Sequence, residues 1–388
     1  MKGLHILESS TSKFNTLLFL AIVLFSLQLD LVIDVTFRKI ILGISTLLFI
    51  LVNKRSIRSQ EFGIVCLVFF YVFYCSFPGI EGFSSWINFG YISLFFFFLT
   101  KTERIEMFFL LKKIFSIILL FGIVSYILVV FNVLSPLTII FNPIRETSYD
   151  VYPFFFLEEL AYLHPLYSAT HLFRFNSIFD EPGYVGTLAA LILLCRSSDR
   201  GYDRYDYVLM LAGFLSFSLA FYILFALTLL YQFKVNIKYI YILLLICIFV
   251  FLFRDSLDSV IFSRLEFEDG KMVGDNRVAA NFDLAFSKFS NSEYVLWGMG
   301  NAAHQKYPGS SSFLGIIYNY GYVGALLYLM VFFSFLFKGN GKRRYFFFLI
   351  FMLNVYQRPY TIDLCTFTLL FMGIYTSVEQ NKKNMANS

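Results

Sequence analysis

Arginines and carboxylates that could handle a charged substrate are concentrated in two polar stretches of an otherwise apolar chain. The first, about residues 132–182, leads into the sequence Arg174-Phe175-Asn176-Ser177-Ile178-Phe179-Asp180-Glu181-Pro182-Gly183-Tyr184-Val185-Gly186, here called the 174–186 stretch. The guanidinium of Arg174 can bind phosphate oxygens through two parallel hydrogen bonds. Asp180 or Glu181 could take the proton of an attacking hydroxyl as a general base. The stretch is therefore a candidate for anion binding and acid–base chemistry.

The second polar stretch, about residues 254–312, supplies further candidate ligands for an anionic substrate. They are three arginines and one histidine: Arg254, Arg264, Arg277 and His304. Arg277 also precedes apolar residues at helical spacing (Val278, Phe282, Phe286 and Phe289), which predicts an amphipathic helix. The N–H groups of its first turn would add to an anion site beside Arg277.

Some of these candidates have an equally simple structural interpretation. An acid before Pro182 is a favourable helix start, because the carboxylate caps the first turn and proline fits the first helical position. Asp180 and Glu181 are therefore helix caps, catalytic groups or both. The acid-rich residues 266–275 lack the regular spacing of a calcium loop and are interpreted as a solvated loop. We expect neither a metal ion nor another cofactor.

The composition indicates that these polar stretches belong to a membrane protein. Of the 388 residues, 58% are hydrophobic and 15% are charged, against about 45–50% and about a quarter in soluble domains. The net charge of +5 comes from short basic clusters between apolar runs, as the positive-inside rule predicts for cytoplasmic loops. No nucleic-acid partner is therefore expected. The five cysteines lie in apolar runs without a CxxC pair, which argues against a disulfide framework or a zinc site.

The apolar runs predict an all-α polytopic membrane protein with about 12 spans and both termini in the cytoplasm. The predicted spans are 14–29, 40–52, 62–77, 83–99, 114–131, 183–195, two within 207–232, 239–253, 313–337, 345–356 and 362–375. Basic residues such as Arg104 and Lys112 mark the cytoplasmic side, whereas this scheme leaves Arg38 outside. Both polar stretches become large outer loops, and residues 1–388 form a single integral membrane domain.

Two segments within this topology need a separate interpretation. Residues 207–232 are too long for one ordinary span, and a single crossing would leave the following Lys234 and Lys238 outside. Two short helices that break near Ser216-Phe217-Ser218 are therefore predicted. Residues 153–167 are aromatic but carry acids, which predicts a segment lying along the membrane surface.

Three features together resemble the O-antigen and capsule repeat-unit polymerases, the Wzy family, which share a membrane fold with the O-antigen ligases. The 174–186 stretch is similar to that family's arginine, aromatic, Glu-Pro and glycine motif at the start of a span. Residues 207–232 resemble its broken helix pair. Four further segments resemble the family's second outer loop and the span that follows it. They are Asn276-Arg277, Trp297-Gly298-Met299-Gly300, Ser310-Ser311-Ser312-Phe313-Leu314 and Gly321-Tyr322-Val323-Gly324. The resemblance covers roughly residues 174–330, and the first 130 residues match only in hydropathy.

The resemblance implies a metal-independent glycosyltransferase of the C type in the bacterial inner (cytoplasmic) membrane. The substrate would be an undecaprenyl-diphosphate-linked oligosaccharide, held at the outer face among membrane lipids. A sugar hydroxyl at the non-reducing end of a new repeat unit would attack the anomeric carbon of the growing chain, and undecaprenyl diphosphate would leave. A chain-length regulator and a flippase are further candidate partners. We expect Arg174 and Arg277, supported by Arg264, to hold the diphosphate, and Glu181 or Asp180 to act as base or to position the acceptor.

Three other functions are weighed against a polymerase. Ligases of this fold carry a histidine about eleven residues before the last glycine motif, where this chain has Ser310, and His304 lies six residues earlier. A ligase is therefore disfavoured. The chain also departs from some polymerases, because eleven residues separate Arg174 from Gly186 where those polymerases have ten. A lipid-linked oligosaccharide flippase should carry its charges within the spans and keep its outer loops short. A purely structural subunit has no need of arginine-rich loops.

Overall fold

The computed structural model describes residues 13–29, 31–77, 80, 89–142, 147–154, 156–159, 174–196, 201–232, 267–268, 271–272, 280–307, 312–337, 342–359 and 362–386. This part of the chain is mostly helical. Its α-helices are α1 Lys13–Ser26, α2 Val35–Val52, α3 Phe62–Tyr74, α4 Phe95–Phe98, α5 Lys101–Val130, α6 Pro182–Leu194, α7 Arg204–Leu215, α8 Leu219–Gln232, α9 Ala280–Ser290, α10 Phe313–Leu336, α11 Lys342–Gln357 and α12 Leu364–Ala386. Its strands are β1 Thr138–Asn142, β2 Thr147–Tyr152, β3 Phe156–Glu159, β4 Phe267–Glu268 and β5 Lys271–Met272.

Three helices of the described chain are long and apolar enough to cross a membrane: α2, α5 and α10. A helix rises about 1.5 Å per residue, so about 20 residues span the hydrocarbon core. Other predicted spans form apolar helices of 10–17 residues, among them α1, α6, α8 and much of α11 and α12. The lengths and composition of these helices indicate a membrane protein.

The region around α5 differs from the predicted spans 83–99 and 114–131. Residues 89–98 form a 3₁₀ turn, Phe89–Leu94, followed by the short α4, and α5 already begins at Lys101. Its early start has a local cause, because Thr100 and Glu103 form a capping box. The Glu103 carboxylate accepts from the Thr100 N–H at 2.7 Å, and the Glu103 N–H donates to the Thr100 hydroxyl at 3.3 Å. Apolar residues alone did not reveal this helix start.

The predicted break in residues 207–232 is confirmed. Helix α7 ends at Leu215 and α8 begins at Leu219, with Ser216, Phe217 and Ser218 between them. Phe217 has a positive φ of 45°, which a continuous right-handed helix cannot contain. The predicted span 239–253 lies outside the described residues.

A small antiparallel sheet within the first polar stretch was not predicted. Strands β1, β2 and β3 pair in sequence order, with Ile140 opposite Tyr149 and Tyr152 opposite Phe156. Part of the predicted surface segment, Phe156–Glu159, is therefore a strand, and the all-α prediction misses this element. The sheet depends on pairing between separate short segments, which hydropathy along one segment does not show.

The chain divides into two compact units. The first contains residues 1–28, 35–111 and 276–388, and the second contains residues 29–34 and 112–275. In the first unit, α1 packs on α2, α3 on α10, and α11 on α12. In the second unit, α6 packs against both α7 and α8.

Two cations used as cytoplasmic markers are buried in ion pairs. In the first unit, Arg104 is 3% exposed and donates from both terminal nitrogens to the Glu61 carboxylate, at 2.7 and 2.5 Å. In the second unit, Lys112 lies 2.9 Å from a carboxylate oxygen of Asp203 and 2.6 Å from one of Asp206. Buried charges are tolerated when they are paired in this way. The positions of both cations therefore reflect internal packing.

Arg38, which the predicted topology leaves outside, caps the C-terminal end of α1 within the first unit. Its side chain is 6% exposed and donates to the carbonyl oxygens of Phe25 and Leu27 at 3.1 and 2.8 Å. The last carbonyls of a helix lack partners within it and carry partial negative charge, which favours a nearby cation. Arg38 thus caps α1 and gives no information about membrane sidedness.

Candidate functional site

Asp180 and Glu181 lie directly before α6 in the second unit. Pro182 occupies the first turn, and Glu181 is the N-cap residue, whose carbonyl accepts from the Tyr184 N–H at 3.0 Å. The Glu181 side chain makes no capping hydrogen bond to this turn. The proline half of the predicted helix start is therefore confirmed, whereas the carboxylate does not act as the cap.

Arg174 lies at the break between α7 and α8. Its Nε–H donates to the Ser216 carbonyl at 3.3 Å, and the next N–H, that of Phe175, donates to the Leu215 carbonyl at 3.0 Å. These two carbonyls end α7, where the helix dipole is negative. One end of the 174–186 stretch is therefore attached to the broken helix pair.

Gly186 brings the other end of this stretch against the same break. A Cβ atom at Gly186 would lie 2.7 Å from the Ser216 hydroxyl oxygen and 2.7 Å from the Cβ of Ser218. Such distances are shorter than van der Waals contact, so only glycine permits this approach. Arg174, the start of α6 and the α7–α8 break are consequently gathered into one local site, here called the arginine site.

The unpredicted sheet supports the arginine site from the polar stretch. The Tyr149 hydroxyl donates to the Asp180 carbonyl at 3.0 Å, and the Leu157 N–H donates to the Ser177 carbonyl at 2.9 Å. The rings of Phe156 and Phe175 stack with their centroids 6.2 Å apart. Strands β2 and β3 therefore fix the backbone between Arg174 and Glu181.

The turn inside the 174–186 stretch is buried and stabilises itself. Asn176 is 1% exposed, its amide donates to the Phe179 carbonyl at 2.9 Å, and the Phe179 N–H returns a bond to the Asn176 carbonyl at 3.0 Å. Ser177 has a φ of 53°, which a residue with a side chain seldom adopts. Such strained backbone is typical of positions whose geometry is held fixed by the surrounding structure.

His304 belongs to a second site, in the first unit. It lies in a 3₁₀ turn, Ala303–Lys306, and is half-buried. Its backbone N–H donates to the Oδ1 of Asn319 at 2.9 Å, and the Nδ2 of Asn319 lies 2.7 Å from its ring Nδ1. Burial lowers the pKa of His304 below its ordinary value, although the Asn319 hydrogen bond opposes that shift. Burial therefore disfavours the charged form of the imidazole, and one amide orients the ring.

Helix α10, which carries Asn319, is broken at Gly321. This glycine has φ 63° and ψ −175°, a conformation accessible essentially to glycine alone. The break leaves backbone groups that a continuous helix would pair, and residues 296–300 satisfy them. The N–H groups of Met299 and Gly300 donate to the carbonyls of Tyr318 and Asn319, both at 2.8 Å. The Trp297-Gly298-Met299-Gly300 segment is therefore hydrogen-bonded to the break.

Aromatic residues complete this second site, here called the histidine site. The face predicted for the amphipathic helix is confirmed from Ala280 onward: Phe282 and Phe289 of α9 are buried and pack on Tyr318, and Phe286 is partly buried beside them. Val278 and the predicted helix start at Asn276-Arg277 lie outside the described residues. The Tyr320 hydroxyl donates to the Oδ1 of Asn301 at 2.7 Å. The histidine site thus combines a cluster of buried aromatic side chains with hydrogen-bonded polar groups.

The structure places only some of the predicted residues. Arg174, Asp180 and Glu181 are gathered in the arginine site, and His304 lies in the histidine site. Three predicted ligands, Arg254, Arg264 and Arg277, lie outside the described residues. Among the described residues, no group of three His, Cys, Asp or Glu side chains could hold a metal ion.

Sequence reasoning missed several residues that shape these sites. Asn319 is 5% exposed within the apolar helix α10, and Tyr149 fixes Asp180 from the sheet. Asn319 carried a usable signal, because an amide in an apolar run needs a partner and often marks a site. Tyr149 carried none, since its role depends on strand pairing.

Comparison with known proteins adds no relative to this description. No family model matches the chain, and neither a curated protein nor a solved structure matches it.

Proposed function

We propose that the protein is a membrane glycosyltransferase that polymerises lipid-linked oligosaccharide repeat units. The growing glycan, carried on undecaprenyl diphosphate, is transferred to the non-reducing end of a new repeat unit at the outer face of the bacterial inner membrane. In this proposal the chain crosses the membrane about 12 times, both termini are cytoplasmic and both polar stretches are outside. A chain-length regulator and a flippase are its candidate partners.

The observation that carries the proposal is the arginine site. Arg174 is fixed beside the α7–α8 break, and Asp180 and Glu181 begin the helix that packs on that break. Arg174 and the two acids therefore belong to one continuous stretch that lies where polar residues meet apolar helices. Charged groups at such a boundary are costly and usually functional.

The proposed chemistry assigns one role to each charge. Arg174 binds the diphosphate and stabilises the charge that develops as the bond between the anomeric carbon and the phosphate oxygen breaks. That oxygen keeps the electron pair. Glu181, or Asp180, takes the proton of the attacking sugar hydroxyl as the new glycosidic bond forms. The Glu181 side chain does not cap α6, so helix capping does not explain why an acid occupies this position.

The test is a reaction of purified protein in detergent with a single lipid-linked repeat unit, analysed on a gel. A ladder of products that differ by one repeat unit supports a polymerase. Transfer to a lipid A core would instead identify a ligase. Absence of both products with folded protein would contradict the proposal.

Replacing Glu181 by Gln separates catalysis from helix capping. The amide keeps the shape of the side chain and can still accept a hydrogen bond, but it cannot take a proton at neutral pH. We expect Glu181→Gln to reduce the ladder by about 100-fold, within the range for loss of a general base, with unchanged thermal unfolding. Asp180→Asn serves as the matched variant. Whichever of the two variants loses more ladder formation identifies the residue that acts as the base.

A flippase is the second candidate, because Arg104 and Lys112 are buried charges within the long apolar helix α5. Charges inside spans are what a translocation path requires. Each is, however, paired with carboxylates of its own chain. Transport of a fluorescent lipid-linked oligosaccharide across proteoliposomes, without ladder formation, would favour the flippase.

A further inference from the structure

An exposed apolar stripe continues from helix α5 into the first strand of the polar stretch. On α5, Leu120, Val124 and Ile127 are exposed and follow one another at helical spacing, so they lie on one side of the helix. Beyond these three, five large apolar residues remain exposed, from 58% for Phe141 to 72% for Phe131. They are here called the 131–141 surface: Phe131, Val133, Leu137, Ile139 and Phe141. Contiguous apolar exposure of this kind marks an interaction site.

The turn between α5 and strand β1 presents its apolar residues outward. Asn132 has a φ of 56°, and the Val133 N–H donates to the Leu128 carbonyl at 2.8 Å, which closes the helix end. In this type of helix end, the residue at the position of Val133 usually packs back onto the helix. Val133 is exposed instead. The stripe therefore continues across the turn without being folded into the protein.

We propose that the 131–141 surface lies in the headgroup boundary of a lipid bilayer and anchors the first polar stretch to the membrane. Lipid is its expected occupant because the surface continues the exposed side of α5, a helix long and apolar enough to cross a membrane. This contact with lipid is independent of the proposed function. Its consequence for the substrate rests on the proposed function.

Ring contacts place the sheet beside the last turns of α5. The Tyr126 ring lies 5.5 Å from that of Phe156 in β3 and 5.7 Å from that of Phe175, measured between centroids. Tyr126 is in the last turns of a helix that ends at Val130, about 6 Å from that end along the axis. Helices that lie on membranes bury their apolar side about 5–10 Å into the headgroup boundary. The sheet is therefore at the depth of such a segment.

Polar groups of the sheet limit how far it enters the bilayer. Ser148 of β2 is paired with Phe141 of β1, and the next pair on this face joins Asp150 to Ile139. A polar row thus lies directly behind the apolar one. Strand β1 is also at the edge of the described three-stranded sheet, and open sheet edges do not occur within hydrocarbon, where backbone groups find no water. Only the side chains of the β1 edge therefore enter the boundary.

The same sheet holds the backbone of the arginine site. The Tyr149 hydroxyl donates to the Asp180 carbonyl, and the Leu157 N–H donates to the Ser177 carbonyl. Lipid contact along β1 consequently fixes the depth of the residues that precede α6. With the proposed function, this depth is that of the lipid phosphates, where the diphosphate of a lipid-linked substrate lies.

The contact is tested with a fluorescent probe on a single cysteine, after the five native cysteines are replaced. The protein is reconstituted in vesicles of phosphatidylethanolamine and phosphatidylglycerol, with iodide on both sides. We expect a probe at Ile139→Cys to be quenched by lipids that carry a nitroxide near the headgroup, and only weakly by iodide. Leu120→Cys is the control within the span and should be quenched by nitroxides deep in the acyl chains. Ser290→Cys, exposed on α9, should be quenched by iodide alone.

Two results at Ile139→Cys would overturn the lipid contact. Quenching by iodide alone would show that the surface faces water. A probe that neither quencher reaches would show that protein covers it, either a second copy or another segment of this chain. Probe self-quenching that disappears when the protein is diluted with more lipid would identify the second copy.

Ile139→Asp and Thr138→Asp are a matched pair of variants. Thr138 is also exposed and, as the adjacent strand residue, projects to the other face of β1. A charge is costly inside a bilayer, so Ile139→Asp should move the strand outward and abolish lipid quenching of a probe at Phe141→Cys. Thr138→Asp should leave that quenching intact. Equal quenching in the two variants would contradict the insertion of Ile139.

The ladder reaction connects this contact to the proposed function. Ile139→Asp should lower ladder formation by about tenfold or more, because a misplacement of about 1 Å can cost about 100-fold in rate. Thr138→Asp should form normal ladders. Normal ladders from Ile139→Asp after lipid quenching is lost would refute the role of the surface in setting the depth of the arginine site. If the wild type makes no ladder but its probe at Ile139→Cys is quenched by lipid, the proposed function fails and the membrane contact stands.

Discussion

Arg174 shows how one side chain can serve both the fold and the proposed reaction. Its Nε–H donates to the Ser216 carbonyl at the end of α7, and its charge belongs to the same continuous stretch as the two acids that precede α6. Capping a helix contributes about 1 kcal/mol, which is small beside the barrier reduction expected from a group that stabilises a leaving diphosphate. The two roles can therefore be separated by magnitude.

We expect Arg174→Ala to lower ladder formation by about 100-fold or more, while thermal unfolding shifts only slightly. Arg174→Lys keeps the charge but lacks the planar fork, so its activity should be intermediate. Arg204→Ala is the matched control, because Arg204 is exposed and its side chain donates to the neighbouring Tyr205. Normal ladders from Arg174→Ala at equal protein level would refute the role of Arg174 in diphosphate binding.

The buried pair Arg104–Glu61 makes a separate prediction about stability. Both side chains are almost inaccessible, at 4% and 9% exposure. Removing one partner leaves an uncompensated buried charge, which costs about 3–5 kcal/mol. Glu61→Gln should therefore lower the unfolding temperature markedly, and the double variant Glu61→Gln with Arg104→Met should recover part of the loss. Equal destabilisation by the single and double variants would contradict this pairing.

At the scale of elements, the break in α10 depends on two glycines that face each other. A Cβ at Gly321 would lie 2.2 Å from the Leu296 carbonyl oxygen, and one at Gly298 would lie 2.3 Å from that of Asn319. Both glycines also have positive φ, at 63° and 89°. The contact between residues 296–300 and α10 therefore tolerates no side chain at Gly298 or at Gly321.

We expect Gly321→Ala and Gly298→Ala each to destabilise the first unit by more than about 2 kcal/mol, because steric overlap adds to backbone strain. Thermal unfolding and limited proteolysis of the second polar stretch would measure the effect. Gly63→Ala is the control, since nothing lies within 4 Å of its added Cβ in α3. It should be neutral or slightly stabilising, and a loss as large as that of the other two would refute the steric explanation.

For the whole molecule, the proposed topology places α9 outside and the start of α7 inside. Ser290 and Arg204 are both exposed and allow a paired test by cysteine labelling. After the five native cysteines are replaced, Ser290→Cys should react with an impermeant thiol reagent in intact spheroplasts. Arg204→Cys should react only after the membrane is permeabilised. Labelling of both before permeabilisation would contradict this topology.

Much of the architecture follows from local sequence patterns. The apolar composition predicted helices suited to a membrane, the apolar face of α9 follows from the spacing of Phe282 and Phe289, and the α7–α8 break was predicted from length and charge. These features depend on residues close in sequence. The same reasoning placed Arg174, Asp180 and Glu181 before a helix, because the motif itself is continuous.

Tertiary structure alone decided which atoms the site residues meet. The bond from Tyr149 of the sheet to Asp180 joins residues 31 positions apart, and the bond from Arg174 to Ser216 joins residues 42 positions apart. Neither contact can be predicted from a local sequence pattern. The two hydrogen bonds between Asn319 and His304 likewise depend on distant segments meeting, because α10 breaks and residues 296–300 bond to the break. The sequence by itself therefore determined apolar helices suited to a membrane and the charged stretches between them, whereas contacts between distant segments decided how the described site residues are held.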